Sequence, residues 1–125
     1  MQRNSNEGKN DIRARSYAFS LNIIALCDKL PQKRSAWVIA DQLVRSATSI
    51  GANLVEARGS SSRLEYKRYY EISLKSAHET EYWLSLLRDA HLVKPDEVET
   101  ALSEVNEFIK MLSAGVLKLK SKSAA

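Results

Sequence analysis

Two histidines and a set of carboxylates are the residues of this chain that could hold a metal ion. A carboxylate-bridged metal centre in a helical bundle needs a Glu three residues before a His on each of two helices. Lys75 stands three residues before His78, and Arg88 stands three residues before His91. We therefore predict no metal site, and no motif in the sequence indicates a cofactor.

Nucleophilic and acid–base catalysis have equally little support. Cys27 lies in an apolar segment beside Asp28, and both burial and a neighbouring negative charge raise the pKa of a thiol. Glu79 falls on a seam of apolar positions, where a carboxylate needs a partner, and we expect it to pair with Arg45 across the fold. Acid–base catalysis by Glu79 is the less favoured alternative. No glycine-rich phosphate loop or nucleophile elbow accompanies these residues, so we predict that the protein is not an enzyme.

Positive charge gathers on both sides of a short Gly-Ser segment, residues 59–62. Four cations and three tyrosines share this region: Arg58, Arg63, Lys67 and Arg68, interleaved with Tyr66, Tyr69 and Tyr70. The cations could hold the phosphates of a nucleic acid, and the tyrosines could stack on its bases. The alternative is a solvated helix end whose tyrosines pack in the core. A second basic element near the C-terminus completes the predicted nucleic-acid-binding surface, which would lack sequence specificity: Lys118, Lys120 and Lys122.

Small residues dominate one stretch of the chain, Ser-Ala-Thr-Ser-Ile-Gly-Ala-Asn at 46–53. Gly51 lies inside a helical pattern at a cost of about 1 kcal/mol in helix propensity relative to Ala, so we expect another helix to approach closely there. Ser49 and Asn53 can bond to a neighbouring backbone or to phosphate oxygens. Tight packing is the expected role, and a subunit or ligand contact is the alternative. With Arg45 and Glu79, these residues form the predicted packing and assembly set.

Helices must position these residues, because apolar side chains recur at three- and four-residue spacing along most of the chain. The clearest run is Ala36, Ala40, Leu43, Ala47, Ile50, Leu54 and Ala57. Pro31, the Gly-Ser segment and Pro95 separate the periodic stretches. Four helices are predicted, over about residues 11–30, 35–58, 63–90 and 95–119. Their short connections predict an all-α fold, an antiparallel up-down-up-down four-helix bundle.

Particular residues are expected to fix the helix ends. Asp11 and Ser35 are suited to cap the first and second helices. Ser62 followed by Glu65 has the spacing of a capping box at the start of the third. Gly59 is suited to a left-handed C-terminal cap on the second.

The composition limits the domain count and excludes several protein classes. The chain has 125 residues, 44% of them apolar and 27% charged, with a formal net charge of +4. This fits one domain, and we expect a flexible lead-in at residues 1–10, the bundle at 11–119 and a basic flexible tail at 120–125. A single cysteine excludes a disulfide framework and indicates a reducing cytoplasm. No apolar stretch reaches the about 18 residues of a membrane span, and the N-terminus lacks the apolar core of a signal peptide, so a cytoplasmic protein without membrane contact is expected.

The first helix carries more apolar surface than one bundle seam can bury. One stripe consists of Ala14, Tyr17, Leu21 and Ile24; the other consists of Phe19, Ile23, Leu26 and Leu30. A helix that is apolar around most of its circumference contacts several neighbours or a second subunit. We therefore predict a homo-oligomer.

Two runs of residues, 42–59 and 69–84, carry a family resemblance. The first contains Arg-Ser-Ala-Thr-Ser-Ile-Gly-Ala-Asn, and the second contains Tyr-Tyr-Glu-Ile-Ser-Leu-Lys-Ser-Ala-His-Glu. They resemble the signature of a bacterial four-helix-bundle family encoded in intervening sequences of 23S ribosomal RNA genes. The resemblance covers about residues 18–119, although Val55, Ala57 and Arg58 depart from the usual family ending. The matching positions are Arg45, Ser46, Ser49, Ile50, Asn53, Glu56, Ser76, Glu79 and Glu81.

The resemblance has consequences for assembly and function. Members of this family look like the accessory protein of diversity-generating retroelements, a pentameric barrel that binds nucleic acid and a reverse transcriptase. The resemblance therefore implies a homopentamer with RNA or DNA as a partner, and it implies no enzymatic activity. Our first hypothesis is a non-enzymatic oligomer that binds RNA through its basic surface. The second is a structural or adaptor protein whose oligomer scaffolds a protein partner.

Overall fold

Four helices account for almost all of the described chain. The computed structural model describes residues 11–124, with side chains as far as Ser121. The helices are α1 (Ile12–Asp28), α2 (Arg34–Arg58), α3 (Arg63–Asp89) and α4 (Pro95–Ala124). Each helix packs against the next, and α1 also contacts α4. The predicted all-α, up-down-up-down four-helix bundle is confirmed.

The helix bounds agree with the predicted ones to within a few residues, except at the end of α4. This helix continues to Ala124, so residues 120–124 extend it past the predicted end at 119. The predicted flexible lead-in, residues 1–10, lies outside the described residues, as does Ala125.

Two of the predicted helix caps are present. The Asp11 side chain accepts a hydrogen bond from the backbone N–H of Arg13 at 3.0 Å. The Ser62 hydroxyl accepts one from the backbone N–H of Glu65 at 3.1 Å. The Glu65 carboxylate in turn accepts from the backbone N–H of Ser61 at 3.4 Å, so α3 begins with a loose version of the capping box.

Two other cap predictions are wrong. Lys33 is extended and α2 begins at Arg34, one residue ahead of the expected cap Ser35, and the helix start has no side-chain cap. Gly59 is not left-handed, since its φ is −90°. Its N–H bonds to the carbonyl of Glu56 at 3.1 Å, which closes the last turn of α2 without reversing the handedness of the backbone.

The left-handed helix cap lies instead between α3 and α4, at His91, whose φ is 58°. The His91 N–H donates to the Arg88 carbonyl and the Leu92 N–H donates to the Leu87 carbonyl, each at 3.0 Å. This is the Schellman arrangement, which usually has Gly at the left-handed position.

The core runs the length of the bundle. Phe19 and Phe108 meet edge to face near its middle, with ring centroids 5.3 Å apart. Around them lie fully buried aliphatic side chains from all four helices: Ile23, Leu43, Ile50, Leu54, Leu84, Leu87, Val98, Val105 and Leu112. Within residues 11–124, no helix combines the length and the apolar character needed to cross a lipid bilayer.

Candidate nucleic-acid interface

The topology brings the two predicted basic elements to one end of the bundle. The turn between α2 and α3 lies at the end to which antiparallel α4 returns and at which α1 begins. Gly115 of α4 lies against Tyr70 of α3, since a Cβ added to Gly115 would lie 3.0 Å from the Tyr70 ring. Arg63 lies seven residues before Tyr70, and the C-terminal lysines lie three to seven residues after Gly115, both towards the same end of the bundle. At about 1.5 Å per residue, both basic elements are therefore within roughly 10 Å of this contact along the bundle axis.

We call this region the basic end and define it by six residues. Arg58, Arg63, Arg68, Lys118 and Lys120 are exposed, and Lys67 is half-buried. None of the six forms an ion pair or a side-chain hydrogen bond with another described residue. The predicted Lys122 lies within α4, but its side chain is outside the described residues. The structure thus leaves the charges of this surface free to meet a ligand.

Few acidic residues offset these cations. Glu56 and Glu65 are the carboxylates closest to them in sequence. The Glu65 carboxylate accepts a hydrogen bond from the backbone N–H of Ser61 at the start of α3. A local excess of positive charge therefore remains at the α2–α3 turn, and it is exposed to solvent.

The tyrosines of this region fill the bundle instead of presenting free rings. Tyr66 and Tyr70 stack on each other, with centroids 5.0 Å apart and planes 22° from parallel. Tyr70 also packs against Gly115, and burial raises the pKa of its hydroxyl to about 12. Tyr69 is half-buried. Of the two sequence-based interpretations, core tyrosines fit this geometry better than stacking platforms for bases.

The predicted pairing of Arg45 with Glu79 is present. The Arg45 guanidinium donates to Glu79 Oε2, and the Trp83 indole N–H donates to the same oxygen at 2.9 Å. Gln42 Oε1 accepts from Arg45 Nη2 at 2.9 Å. The hydrogen bond from Trp83, and then the Arg45 guanidinium, lower the pKa of Glu79. A carboxylate held ionised in this way links α2 to α3 and is poorly suited to exchange protons near neutral pH.

The small residues of the packing and assembly set are also used within the bundle. A Cβ added to Gly51 would lie 3.0 Å from Ser16 Oγ of α1, which is the close approach that the sequence predicts. Asn53 donates to the Ser49 carbonyl at 2.8 Å, and Ser76 donates to Ser49 Oγ at 2.9 Å. Packing within the bundle therefore accounts for Ser49, Gly51 and Asn53.

An ion pair between α1 and α4 was not anticipated from the sequence. Arg15 donates to both Glu104 carboxylate oxygens, at 2.6 and 3.1 Å, and its guanidinium lies 5.6 Å from the centre of the Phe108 ring. The clue in the sequence was a cation one helical turn before Phe19 in an otherwise apolar helix. Beside this pair, α1 and α4 border a groove of about 930 Å³ over buried Phe19 and Ile23.

No described residue of the protomer covers the outer face of α1. Tyr17, Leu21 and Ile24 are 69%, 53% and 42% exposed, whereas Phe19, Ile23 and Leu26 are buried. The two predicted stripes are therefore separated: one lies in the core, and the other forms an apolar surface. Among the described residues, no cluster of three or more His, Cys, Asp and Glu residues is arranged to hold a metal ion.

Comparisons with known proteins give a consistent result. A family model described as 23S rRNA-intervening sequence protein matches residues 8–114. A crystal structure described as a protein with unknown function from the S23 ribosomal protein family of Bacteroides thetaiotaomicron is 33% identical, with a TM-score of 0.79. The alignment covers 84% of this chain and 97% of that one. No curated protein matches the chain.

Proposed function

The chain belongs to the family of 23S rRNA-intervening sequence proteins, and from that premise we propose that it is a non-enzymatic, oligomeric four-helix bundle that binds structured RNA at its basic end. The observation that carries the proposal is the group of six cations at one end of the molecule that form no ion pair with another described residue. Cations clustered in this way can meet several phosphates of one nucleic acid at once.

The proposed contacts are to phosphates. Each Lys or Arg that neutralises a phosphate releases condensed counterions, so such binding weakens steeply as salt rises. Base stacking contributes little, because Tyr66 and Tyr70 stack on each other. Recognition by phosphates without base contacts favours a duplex or another folded RNA over an unstructured single strand.

Oligomerisation is proposed from the exposed stripe on α1. Three large apolar side chains at successive turns of one helix are more than a soluble protomer normally exposes side by side. The family resemblance supports a pentamer, which would carry a formal charge of about +20 and attract a polyanion strongly. Light scattering of the wild-type chain should give a mass several times the protomer mass of 14.1 kDa. Leu21→Glu should shift it towards the monomer, while a wild-type monomer at micromolar concentration would contradict this part of the proposal.

The RNA-binding proposal is tested by a matched pair of double variants. Arg63→Gln with Lys67→Gln removes two charges from the basic end, and Lys33→Gln with Arg34→Gln removes two from the opposite end. In a mobility-shift titration with an RNA duplex of about 20 base pairs at low salt, the first pair should raise the Kd by about 30-fold and the second by less than threefold. If the wild type does not bind, or if the two double variants weaken binding equally, the proposal is wrong.

A second candidate function is a scaffold for a protein partner, favoured by the apolar surface of α1 and the adjoining groove beside α4. A pull-down with the wild-type chain discriminates between the two. One protein captured in constant amount after nuclease treatment would favour the scaffold, and capture that disappears with the nucleic acid would favour RNA binding. We place either function in the cytoplasm, since the single cysteine, Cys27, suits a reducing compartment.

A further inference from the structure

Arg13, in the first turn of α1, has a buried nitrogen with no hydrogen-bond partner. Among the described residues, its Nε is the one buried side-chain nitrogen or oxygen in this condition. A buried donor left unsatisfied destabilises the fold, so native proteins contain few. The guanidinium is therefore in a state that a suitable acceptor would stabilise.

No described residue accepts a hydrogen bond from Arg13 Nε. Asp11 is the nearest carboxylate in sequence, but its side chain caps α1 by accepting the backbone N–H of Arg13. No described carboxylate lies within ion-pair distance of Arg13, unlike Arg15 two residues later, which is held by Glu104. Of the two arginines in this turn, Arg15 is paired with Glu104, whereas Arg13 Nε has no partner among the described residues.

The position of Arg13 places it next to the basic end. The start of α1 lies at the end of the bundle where α2 ends and α3 begins. Ser16 of α1 lies against Gly51 of α2, since a Cβ added to Gly51 would lie 3.0 Å from Ser16 Oγ. Arg13 is three residues nearer to this end than Ser16, and Arg58 is seven residues nearer than Gly51, so the two arginines are roughly 6 Å apart along the bundle axis, counting 1.5 Å per residue. That separation is within the reach of neighbouring phosphates on one nucleic acid.

We propose that Arg13 is a further phosphate-binding residue, whose guanidinium turns outward to donate through Nε and a terminal nitrogen to a phosphate. The inference rests on the proposed function and extends its site. A guanidinium presents two parallel N–H groups that match two phosphate oxygens, and binding would satisfy the donor that has no partner among the described residues. The bound RNA would then lie across the end of the bundle, over α1 as well as α3 and α4.

The test uses three variants in full-length protein. Arg13→Gln removes the charge, Arg13→Lys keeps it without the paired donors, and Arg34→Gln is the control, an exposed arginine at the opposite end. With an RNA duplex of about 20 base pairs, Arg13→Gln should weaken binding about tenfold and make the negative slope of log Kobs against log salt shallower by about 0.9. Arg13→Lys should keep the slope but weaken binding severalfold, and Arg34→Gln should change the Kd less than twofold.

The outcomes separate this inference from the proposed function. If the wild type binds and Arg63→Gln with Lys67→Gln weakens binding, but Arg13→Gln behaves like Arg34→Gln, only the role of Arg13 is wrong. If the wild type shows no salt-dependent binding, both fail. If Arg13→Gln unfolds, the wild type decides the matter: inorganic pyrophosphate should shift the Arg13 Nε–Hε resonance in a ¹⁵N–¹H spectrum, and an unmoved resonance would overturn the inference.

Discussion

The two ends of the bundle differ in whether their cations form ion pairs. At the end formed by the α1–α2 and α3–α4 turns, five cations are matched by five carboxylates: Lys29, Lys33, Arg34, Arg88 and Lys94 against Asp28, Asp89, Asp96, Glu97 and Glu99. Three ion pairs form there: Lys29 pairs with Glu97, and Arg88 pairs with Asp89 at 2.9 Å and with Glu99 at 3.8 Å. Lys33, Arg34 and Lys94 form none with described residues. At the basic end, six cations form none with described residues. The difference is what the proposed binding of RNA at the basic end predicts.

The largest expected effect comes from neutralising the cations next to the α2–α3 turn. Changing Arg58, Arg63, Lys67 and Arg68 to Gln should weaken RNA-duplex binding about 1,000-fold at low salt, because four phosphate contacts are lost. The free energy of unfolding, from urea titration, should change by less than about 0.5 kcal/mol, since these side chains have no internal partners. A large loss of stability would show that the charges serve the fold and would remove the contrast between the two ends.

Packing beneath the basic end can be tested with two glycines. Gly115→Leu should lower the free energy of unfolding by about 1–3 kcal/mol, because the added side chain meets the Tyr70 ring at close contact. Gly59→Ala is the matched control, since its Cβ would lie 3.8 Å from the nearest atom and its φ is −90°. It should be neutral or slightly stabilising. Equal stability of the two variants in urea unfolding would contradict the observed packing of Tyr70.

The opposite end contains a strained residue that substitution should relieve. His91 has a φ of 58°, where a side chain costs about 1 kcal/mol relative to Gly. His91→Gly should therefore raise the free energy of unfolding by about 0.5–1 kcal/mol. His91→Ala, which keeps a Cβ, should give no such gain. The two variants can be compared by thermal or urea unfolding, and a gain from Ala equal to that from Gly would exclude strain as the cause.

A smaller effect is expected between the two ends, where Glu79 links α2 to α3. Its pKa is lowered in the folded protein by Trp83 and Arg45, so the pair stabilises the fold at neutral pH. This stabilisation is lost as the pH falls below the ordinary value of 4.5 and through the lowered pKa. Glu79→Gln should flatten the acid side of the stability–pH curve, whereas Glu56→Gln, an exposed control, should not. Identical curves for wild type and Glu79→Gln would contradict a structural role for the pair.

The architecture could be predicted from the sequence because its signals are local and repeated. The seven apolar positions from Ala36 to Ala57 follow helical spacing, and Pro31, Pro95 and the Gly-Ser segment mark the breaks. The Arg45–Glu79 pair was predictable for a related reason: a carboxylate on a buried seam requires a partner. The close contact at Gly51 was predictable because a glycine inside a helix lowers the helix propensity and needs a compensating interaction.

Other features depend on three-dimensional neighbours and could not be predicted. The left-handed cap lies at His91 and not at Gly59, and its position depends on which backbone N–H groups bond to the last carbonyls of each helix. Whether tyrosines stack on one another or face solvent depends on the position of Gly115 on another helix. The unpartnered Nε of Arg13 is invisible in a sequence, because it is defined by what the surrounding side chains lack.

The salt dependence of binding tests the central claim most directly. Fluorescence anisotropy with a labelled RNA duplex, measured for the wild-type chain from about 50 to 200 mM salt, gives the slope of log Kobs against log salt. Contacts by most of the six cations at the basic end predict a slope of roughly −4 to −5 per bound protomer. Binding that is absent at the lowest salt, or a slope near zero, would contradict the account.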